Sequence, residues 1–117
     1  MTDAARDWVA KRTPPAPPAL VARVDAALGT GPGDAREGVE PSDDVAGVCL
    51  RAAEAILARL LADGALTRAA ALDLLAADAL ATYAFEAAAD DPDAIPARAR
   101  AAMIRLSSFA ADAVGAA

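Results

Sequence analysis

The sequence predicts an all-α fold, a small antiparallel bundle of three main helices with an N-terminal arm of short helices. Alanine, the strongest helix former, supplies 37 of the 117 residues. Large apolar residues recur three or four positions apart over the second half of the chain, which is the period of a helix. Proline, glycine and capping residues separate these stretches, so each stretch fits one helix.

The composition indicates one modest hydrophobic core. A chain of 117 residues is one domain's worth. Alanine packs closely but buries little area, and the aromatic side chains are confined to Trp8, Tyr83, Phe85 and Phe109. Because such a core gives modest stability, we expect a homo-oligomer that covers more of the helix surface.

Charge and cysteine content argue against several classes of partner and location. The net charge is −6 and Lys11 is the only lysine, which argues against nucleic acid and an anionic membrane as partners. Cys49 has no second cysteine to pair with. The sequence also lacks an apolar signal-peptide core and an uncharged apolar run of membrane-spanning length. We therefore expect a cytoplasmic protein, and the usage of Ala, Arg and Asp indicates a GC-rich bacterium.

Residues 1–41 are predicted to form the arm. Residues 3–12 fit a short helix that presents Trp8 and Val9, which are the candidate interaction residues. A helix of this length does not hold in isolation. We therefore expect Trp8 to dock on the bundle or on a protein partner.

The rest of the arm alternates between spacer and helix. Residues 14–18 are rich in proline and favour a stiff polyproline II spacer, with a ligand for a proline-binding module as the alternative. Residues 19–28 fit a second short helix on the outside of the bundle. Residues 29–41 hold four glycines and two prolines and are predicted to be a flexible linker or exposed loop.

Residues 42–117 are predicted to form the bundle, and its first helix covers about residues 43–62. Ser42-Asp43-Asp44 supplies oxygen atoms that accept the free N–H groups of a first helical turn. Large apolar side chains share one arc of this helix, while Arg51, Glu54, Arg59 and Asp63 lie opposite. This pattern predicts an outer helix. Cys49 falls on the apolar side and is interpreted as a packing residue rather than a reactive thiol.

The second bundle helix, about residues 67–89, is predicted to be central. A turn at Asp63-Gly64 and a capping residue, Thr67, make it one half of a helical hairpin. Its large apolar side chains fall on more than one face of the helical wheel. A helix that is apolar most of the way round must be covered by neighbours.

Carboxylates on this apolar helix predict a buried polar network. Asp78 and Glu86 have few routes to water in such a helix, and a buried carboxylate must find a partner. The available partners are the Tyr83 hydroxyl and the arginines of the last helix, above all Arg98 and Arg105, with Arg100 as a further cation. We interpret these groups as structural or interfacial pairs rather than a catalytic site.

The last helix is predicted over about residues 96–114. The run Asp90-Asp91-Pro92-Asp93 precedes it, and its carboxylates favour the positive end of the helix dipole. The spacing lacks the alternating ligands and the glycine of a calcium loop, so no metal site is predicted there.

The chain lacks the residues that several common catalytic and metal sites require. The chain contains no histidine, which excludes Ser-His-Asp and Cys-His nucleophiles and ordinary zinc or di-iron sites. Paired carboxylates remain the one enzyme-like possibility, and they require a cleft. The sequence therefore predicts neither a catalytic residue nor a cofactor.

One stretch resembles a known family. Leu74 to Ala89, LLAADALATYAFEAAA, is similar to the segment of trans-polyprenyl diphosphate synthases that reads like L-A-G-D-A-L-L-x-x-A-F-E, with Ala77 in place of the usual glycine. The resemblance implies an all-helical fold, magnesium and an isoprenoid diphosphate. The Asp-rich D-D-x-x-D motifs of those enzymes do not occur here. The resemblance therefore implies a non-catalytic relative or fragment, and no catalytic residue carries over.

The leading prediction is a non-enzymatic module for protein–protein interaction or oligomerisation. The alternative is the prenyl-synthase-related piece, which predicts a deep apolar cavity beside the segment 80–85. A third class, nucleic-acid binding, would depend on Arg98, Arg100 and Arg105.

Overall fold

The computed structural model describes residues 2–29 and 44–115. Over these ranges the chain is helical and contains no strand, so the predicted all-α class is confirmed. The elements are α1 (Thr2–Ala10), α2 (Pro18–Leu28), α3 (Val45–Asp63), α4 (Arg68–Ala88), a 3₁₀ turn (Pro92–Ala94) and α5 (Ile95–Gly115). Most of the predicted linker and the first two residues of the predicted cap, Ser42 and Asp43, lie outside the described residues.

Local chemistry sets where α3 and α4 begin and end. The Asp44 carboxylate accepts a hydrogen bond of 2.8 Å from the Gly47 N–H and caps α3. Gly64 ends α3 in the left-handed conformation, with φ of 66°, which a residue without Cβ adopts freely. The Thr67 hydroxyl accepts from the Ala70 N–H at 3.0 Å and starts α4. These boundaries agree with the predicted turn.

The central helix is α3, so the prediction that α4 is central is wrong. Among the described helices, α3 alone packs against α1, α2, α4 and α5, whereas α4 packs mainly against α3 and α2. Leu74 and Leu75 of α4 are each 53% exposed. The prediction of a central α4 depends on the positions of its large apolar side chains. The helix that is packed on several sides is instead the one whose small side chains allow close contacts.

Alanine explains how α3 is surrounded. Its buried residues lie on several faces: Ala46, Val48, Cys49, Leu50, Ala52, Ala53, Glu54 and Ile56. More than half of the buried apolar residues in the described ranges are alanine. A short side chain lets two helix backbones approach closely, so faces that appear weakly apolar on the wheel are still contact faces.

The bundle runs up, down and up. α3 and α4 form the predicted antiparallel hairpin. α5 runs parallel to α3, because Arg98 near its start contacts Asp44 and Arg105 farther along contacts Glu54. α5 has little contact with α4, so these two helices flank α3 on separate sides. α1 packs against α3 and α2, and α2 packs against both α4 and α3.

None of the helices in ranges 2–29 and 44–115 combines the length and the apolar character needed to cross a membrane.

Candidate functional site

Trp8, the first candidate interaction residue, contacts another side chain of the same chain. Ala5, Trp8 and Val9 lie three and four positions apart on one face of α1, and this face turns toward the bundle. The Trp8 ring meets Tyr83 of α4 edge to face, with centroids 6.2 Å apart and planes at 75°. Trp8 is half-buried, and the second candidate, Val9, packs against the core. The docking on the bundle therefore accounts for the placement of both residues.

Arg12 continues this contact beyond the end of α1. The Arg12 and Lys11 N–H groups still donate to the carbonyls of Val9 and Trp8, so the helical turn extends to Arg12. The Arg12 guanidinium carbon lies 3.8 Å from the centroid of the Trp8 ring, which is a cation–π contact.

The five residues predicted as a buried polar network are not brought together. Asp78 and Glu86 are exposed, because they lie on the side of α4 away from α3. Tyr83 contacts Trp8, while Arg98 and Arg105 pair with carboxylates of α3 and its cap. The predicted network is therefore wrong in its carboxylates, for the same reason that α4 is not central.

Among the described residues, the carboxylate that is buried is Glu54 of α3, a residue that is 3% exposed. It accepts from two donors of one guanidinium: Arg105 Nε donates to Oε1, and Nη2 donates to Oε2 at 2.8 Å. Arg51 adds a second cation at 3.6 Å. This bidentate arrangement satisfies a charge that would be costly to bury alone. The sequence pattern predicts an outer face for Glu54, because the alanines beside it give no sign of a contact with α5.

Three further ion pairs link α2, α3, α4 and α5. Arg98 of α5 binds the Asp44 carboxylate at 3.0 Å, at the residue that also caps α3. Asp73 of α4 lies between Arg23 of α2 and Arg59 of α3, the latter at 3.6 Å. Two of the three arginines considered for nucleic-acid binding, Arg98 and Arg105, are therefore held in ion pairs.

Cys49 is fully buried in the core cluster. Burial raises the pKa of the Cys49 thiol from 9.0 to about 11, because an apolar environment disfavours the thiolate. The neutral thiol behaves as a small apolar side chain, which agrees with its interpretation as a packing residue.

An exposed apolar feature lies at the turn end of the α3–α4 hairpin. It is an open groove of about 480 Å³, here named the hairpin surface. Its lining is almost entirely apolar: Leu57, Leu60, Leu61, Ala65, Leu66, Thr67, Ala70, Ala71 and Leu74. Leu66 is fully exposed, Leu74 is 53% exposed and Leu61 is 45% exposed. Leu61 also lines a second groove together with Phe109 of α5, so the apolar surface continues from the hairpin onto α5.

Sequence reasoning missed the hairpin surface as a site. The pattern predicts that the large apolar side chains of α3, including Leu57, Leu60 and Leu61, face the core along one arc, and that Leu74 belongs to a covered helix. The available signal was Leu66, a leucine inside a short turn between two helix boundaries. A large apolar residue there has no core to enter.

The acidic turn is exposed and carries no recognised ligand cluster. Asp90, Asp91 and Asp93 surround the 3₁₀ turn that leads into α5. No group of three or more acidic, cysteine or histidine side chains suited to a metal ion occurs within the described ranges.

The stretch that resembles the prenyl synthase segment packs against the core. Leu80 and Ala84 are fully buried, and Phe85 is half-buried against the core cluster. One described cavity reaches the segment 80–85, and it does so through Tyr83.

No family model, curated protein or solved structure matches this chain.

Proposed function

We propose that this chain is a non-enzymatic helical module that associates with a second copy of itself through the hairpin surface. The observation that carries the proposal is the run of exposed leucines at the α3–α4 turn, Leu61, Leu66 and Leu74, beside the half-buried Leu57. Removal of such an exposed apolar surface from water lowers the free energy, so it favours association.

The hairpin surface is suited to a dry contact. Its lining includes one polar side chain, Thr67, whose hydroxyl is already used to cap α4. The turn carries one acid, Asp63, and one base, Arg68, so this region is neutral although the whole chain has a net charge of −6. Two acidic chains can therefore meet here without strong like-charge repulsion.

A second copy fits this surface better than an unrelated partner does. A contact with few charges and hydrogen-bonding groups has little means of selecting a different protein. Two antiparallel hairpins related by a twofold axis form a four-helix arrangement, in which each hairpin covers the apolar face of the other. The alanine-rich core also leaves the single chain with few large buried side chains.

The docking surface of the proposed dimer lies on the α3–α4 hairpin rather than on the N-terminal arm. Trp8 and Val9 already contact residues of their own chain. The role of the arm is then to cover α3. Substitution of Trp8 or Val9 should therefore lower the stability of the fold more than it weakens association.

Sedimentation equilibrium over a wide concentration range tests the proposal. We expect wild-type protein to approach twice the chain mass of 11.7 kDa. Leu66→Asp and Leu74→Asp should remain monomeric, because each places two unpaired charges in a twofold contact. Met103→Asp is the matched control, since Met103 is 61% exposed on α5 outside the hairpin surface.

Two results would contradict the proposal. One is a wild-type protein that stays monomeric at several hundred micromolar. The other is a dimer that Leu66→Asp leaves intact and Trp8→Ala abolishes, which would assign the contact to the arm.

A further inference from the structure

A second concave site lies beneath the N-terminal arm, away from the hairpin surface. It is a partly enclosed cavity of about 210 Å³ between α1, α2, the segment that joins them and Tyr83 of α4. Its apolar lining consists of Val9, Ala10, Pro15, Ala16, Val21, Val24 and Leu28 together with the Tyr83 ring. Three charged residues, Arg6, Arg12 and Asp25, also line it.

Among the described residues, Arg12 is the cation of this cavity without a carboxylate partner. The Arg12 Nε atom is buried and makes no hydrogen bond, and no carboxylate of the described residues pairs with its guanidinium. The group is nevertheless held in place by its contact with the Trp8 ring at 3.8 Å. A guanidinium fixed in this way presents unused N–H donors to a carboxylate, and it loses little further freedom on binding.

The other two charges balance each other. Arg6 forms an ion pair with Asp25, with Nε 3.1 Å from Oδ1, and its Nη2 donates a hydrogen bond to Oδ2 at 3.2 Å. Gly29 leaves room for this guanidinium, because a Cβ at that position would lie 1.5 Å from Arg6 Nη2. The lining therefore carries a net charge of one positive unit. A singly charged anion neutralises this net charge. A multiply charged phosphate would leave excess negative charge beside the Asp25 carboxylate and be repelled by it.

The volume limits the size of the apolar part of a ligand. An apolar cavity of about 150 Å³ accommodates benzene. The cavity of about 210 Å³ therefore has room for one six-membered ring or a short aliphatic chain, together with an acidic group.

We propose that this cavity binds a small monocarboxylate with a compact apolar body. The carboxylate accepts hydrogen bonds from Arg12, and the hydrocarbon lies among Val9, Val24 and Leu28. Val9 and Arg12 belong to α1 and its last turn, whereas Val24 and Leu28 belong to α2, so a ligand in the cavity contacts both helices.

Trp8 provides the readout, because it is the only tryptophan and it contacts Arg12. Cyclohexanecarboxylate is a suitable probe, since it does not absorb at the wavelengths that excite tryptophan. We expect a saturable change in Trp8 emission as this probe is added at constant ionic strength. Cyclohexanecarboxamide lacks the charge and acetate lacks the ring, and both should bind at least about tenfold more weakly.

Variants followed by calorimetry separate the two parts of the site. Arg12→Gln should weaken cyclohexanecarboxylate binding by about tenfold or more, because charge-assisted hydrogen bonds are lost. Arg100→Gln, which removes the same charge at an exposed position of α5, should leave binding unchanged. Ala16→Leu fills the cavity from its rim and should abolish binding of the acid.

The proposal is overturned if the amide binds as tightly as the acid, or if Arg12→Gln binds as wild type does. It is also overturned if no saturable binding occurs at tens of millimolar probe. Circular dichroism of each variant confirms that the helices are retained.

Discussion

At the scale of single residues, Glu54 has the most demanding environment in the described chain. The residue is 3% exposed, and its charge is balanced by Arg105 and Arg51. Such a pair adds little to stability by itself, because desolvation offsets the attraction between the charges. Breaking it is a different matter, since one charge then remains buried.

We predict that Arg105→Leu lowers the free energy of unfolding by about 2 to 4 kcal/mol, because the Glu54 carboxylate loses its bidentate partner. The double variant Glu54→Leu with Arg105→Leu should recover most of that loss. Urea denaturation measures all three proteins, with Arg100→Leu as a control that changes stability by less than about 0.5 kcal/mol. A double variant less stable than Arg105→Leu would show that the pair itself stabilises the fold.

Cys49 predicts an alkaline loss of stability. Burial raises the pKa of this thiol from the ordinary value of 9.0 to about 11, so above pH 9 the unfolded thiol releases its proton while the folded thiol keeps it. The free energy of unfolding therefore falls with rising pH across this window, by about 1.4 kcal/mol per pH unit for this group.

The Cys49→Ala variant isolates this effect from every other group that titrates at high pH. We expect the stability difference between wild type and Cys49→Ala to be constant below pH 8 and to shift in favour of the variant from about pH 9 to 11. Denaturation curves at each pH measure it. A difference that does not depend on pH would mean that the thiol titrates normally.

At the scale of helices, the position of α3 has consequences for local stability. It contacts four other helices, whereas α5 packs mainly on α3 and ends in exposed residues such as Val114, which is 77% exposed. Amide hydrogens exchange slowest where opening requires the most packing to be lost.

We therefore predict that amides of residues 48–56 in α3 exchange slowest. Those in the last turns of α5 and in α1 should exchange faster by at least tenfold, equivalent to about 1.4 kcal/mol of local stability. Hydrogen exchange followed by nuclear magnetic resonance measures each site. Slowest exchange in α4 would support the sequence-based prediction of a central α4 instead.

The helices themselves could be predicted from the sequence, because their signals are local. Thr67 and Asp44 cap the helices that the pattern indicated, and Gly64 ends α3. The neighbours of each helix could not be predicted, because alanine gives nearly the same signal on a contact face and on an exposed face. Glu54 was therefore placed outside, and Asp78 and Glu86 were placed inside. The hairpin surface was missed for the same reason, since it depends on which helices leave Leu74 uncovered.

At the scale of the whole molecule, α4 and α5 flank α3 and leave the leucines near the α3–α4 turn without cover. The proposed dimer covers them.

Each leucine that becomes buried contributes about 1.5 to 3 kcal/mol. Because a twofold contact uses each residue twice, we predict that Leu66→Ala weakens the dimer by about a hundredfold in Kd while leaving the unfolding of the monomer nearly unchanged. Sedimentation equilibrium measures the first effect, and dilute thermal unfolding measures the second. A Leu66→Ala dimer as tight as wild type would remove Leu66 from the contact.

Contacts between copies are observed in a sample that mixes isotope-labelled and unlabelled chains, by nuclear Overhauser effects filtered to pass from one chain to the other. The proposed dimer predicts such effects from the methyl groups of Leu57, Leu61, Leu66 and Leu74. Intermolecular effects that arise from Met103 and Ile104 instead, or none at millimolar protein, would contradict self-association through the hairpin surface.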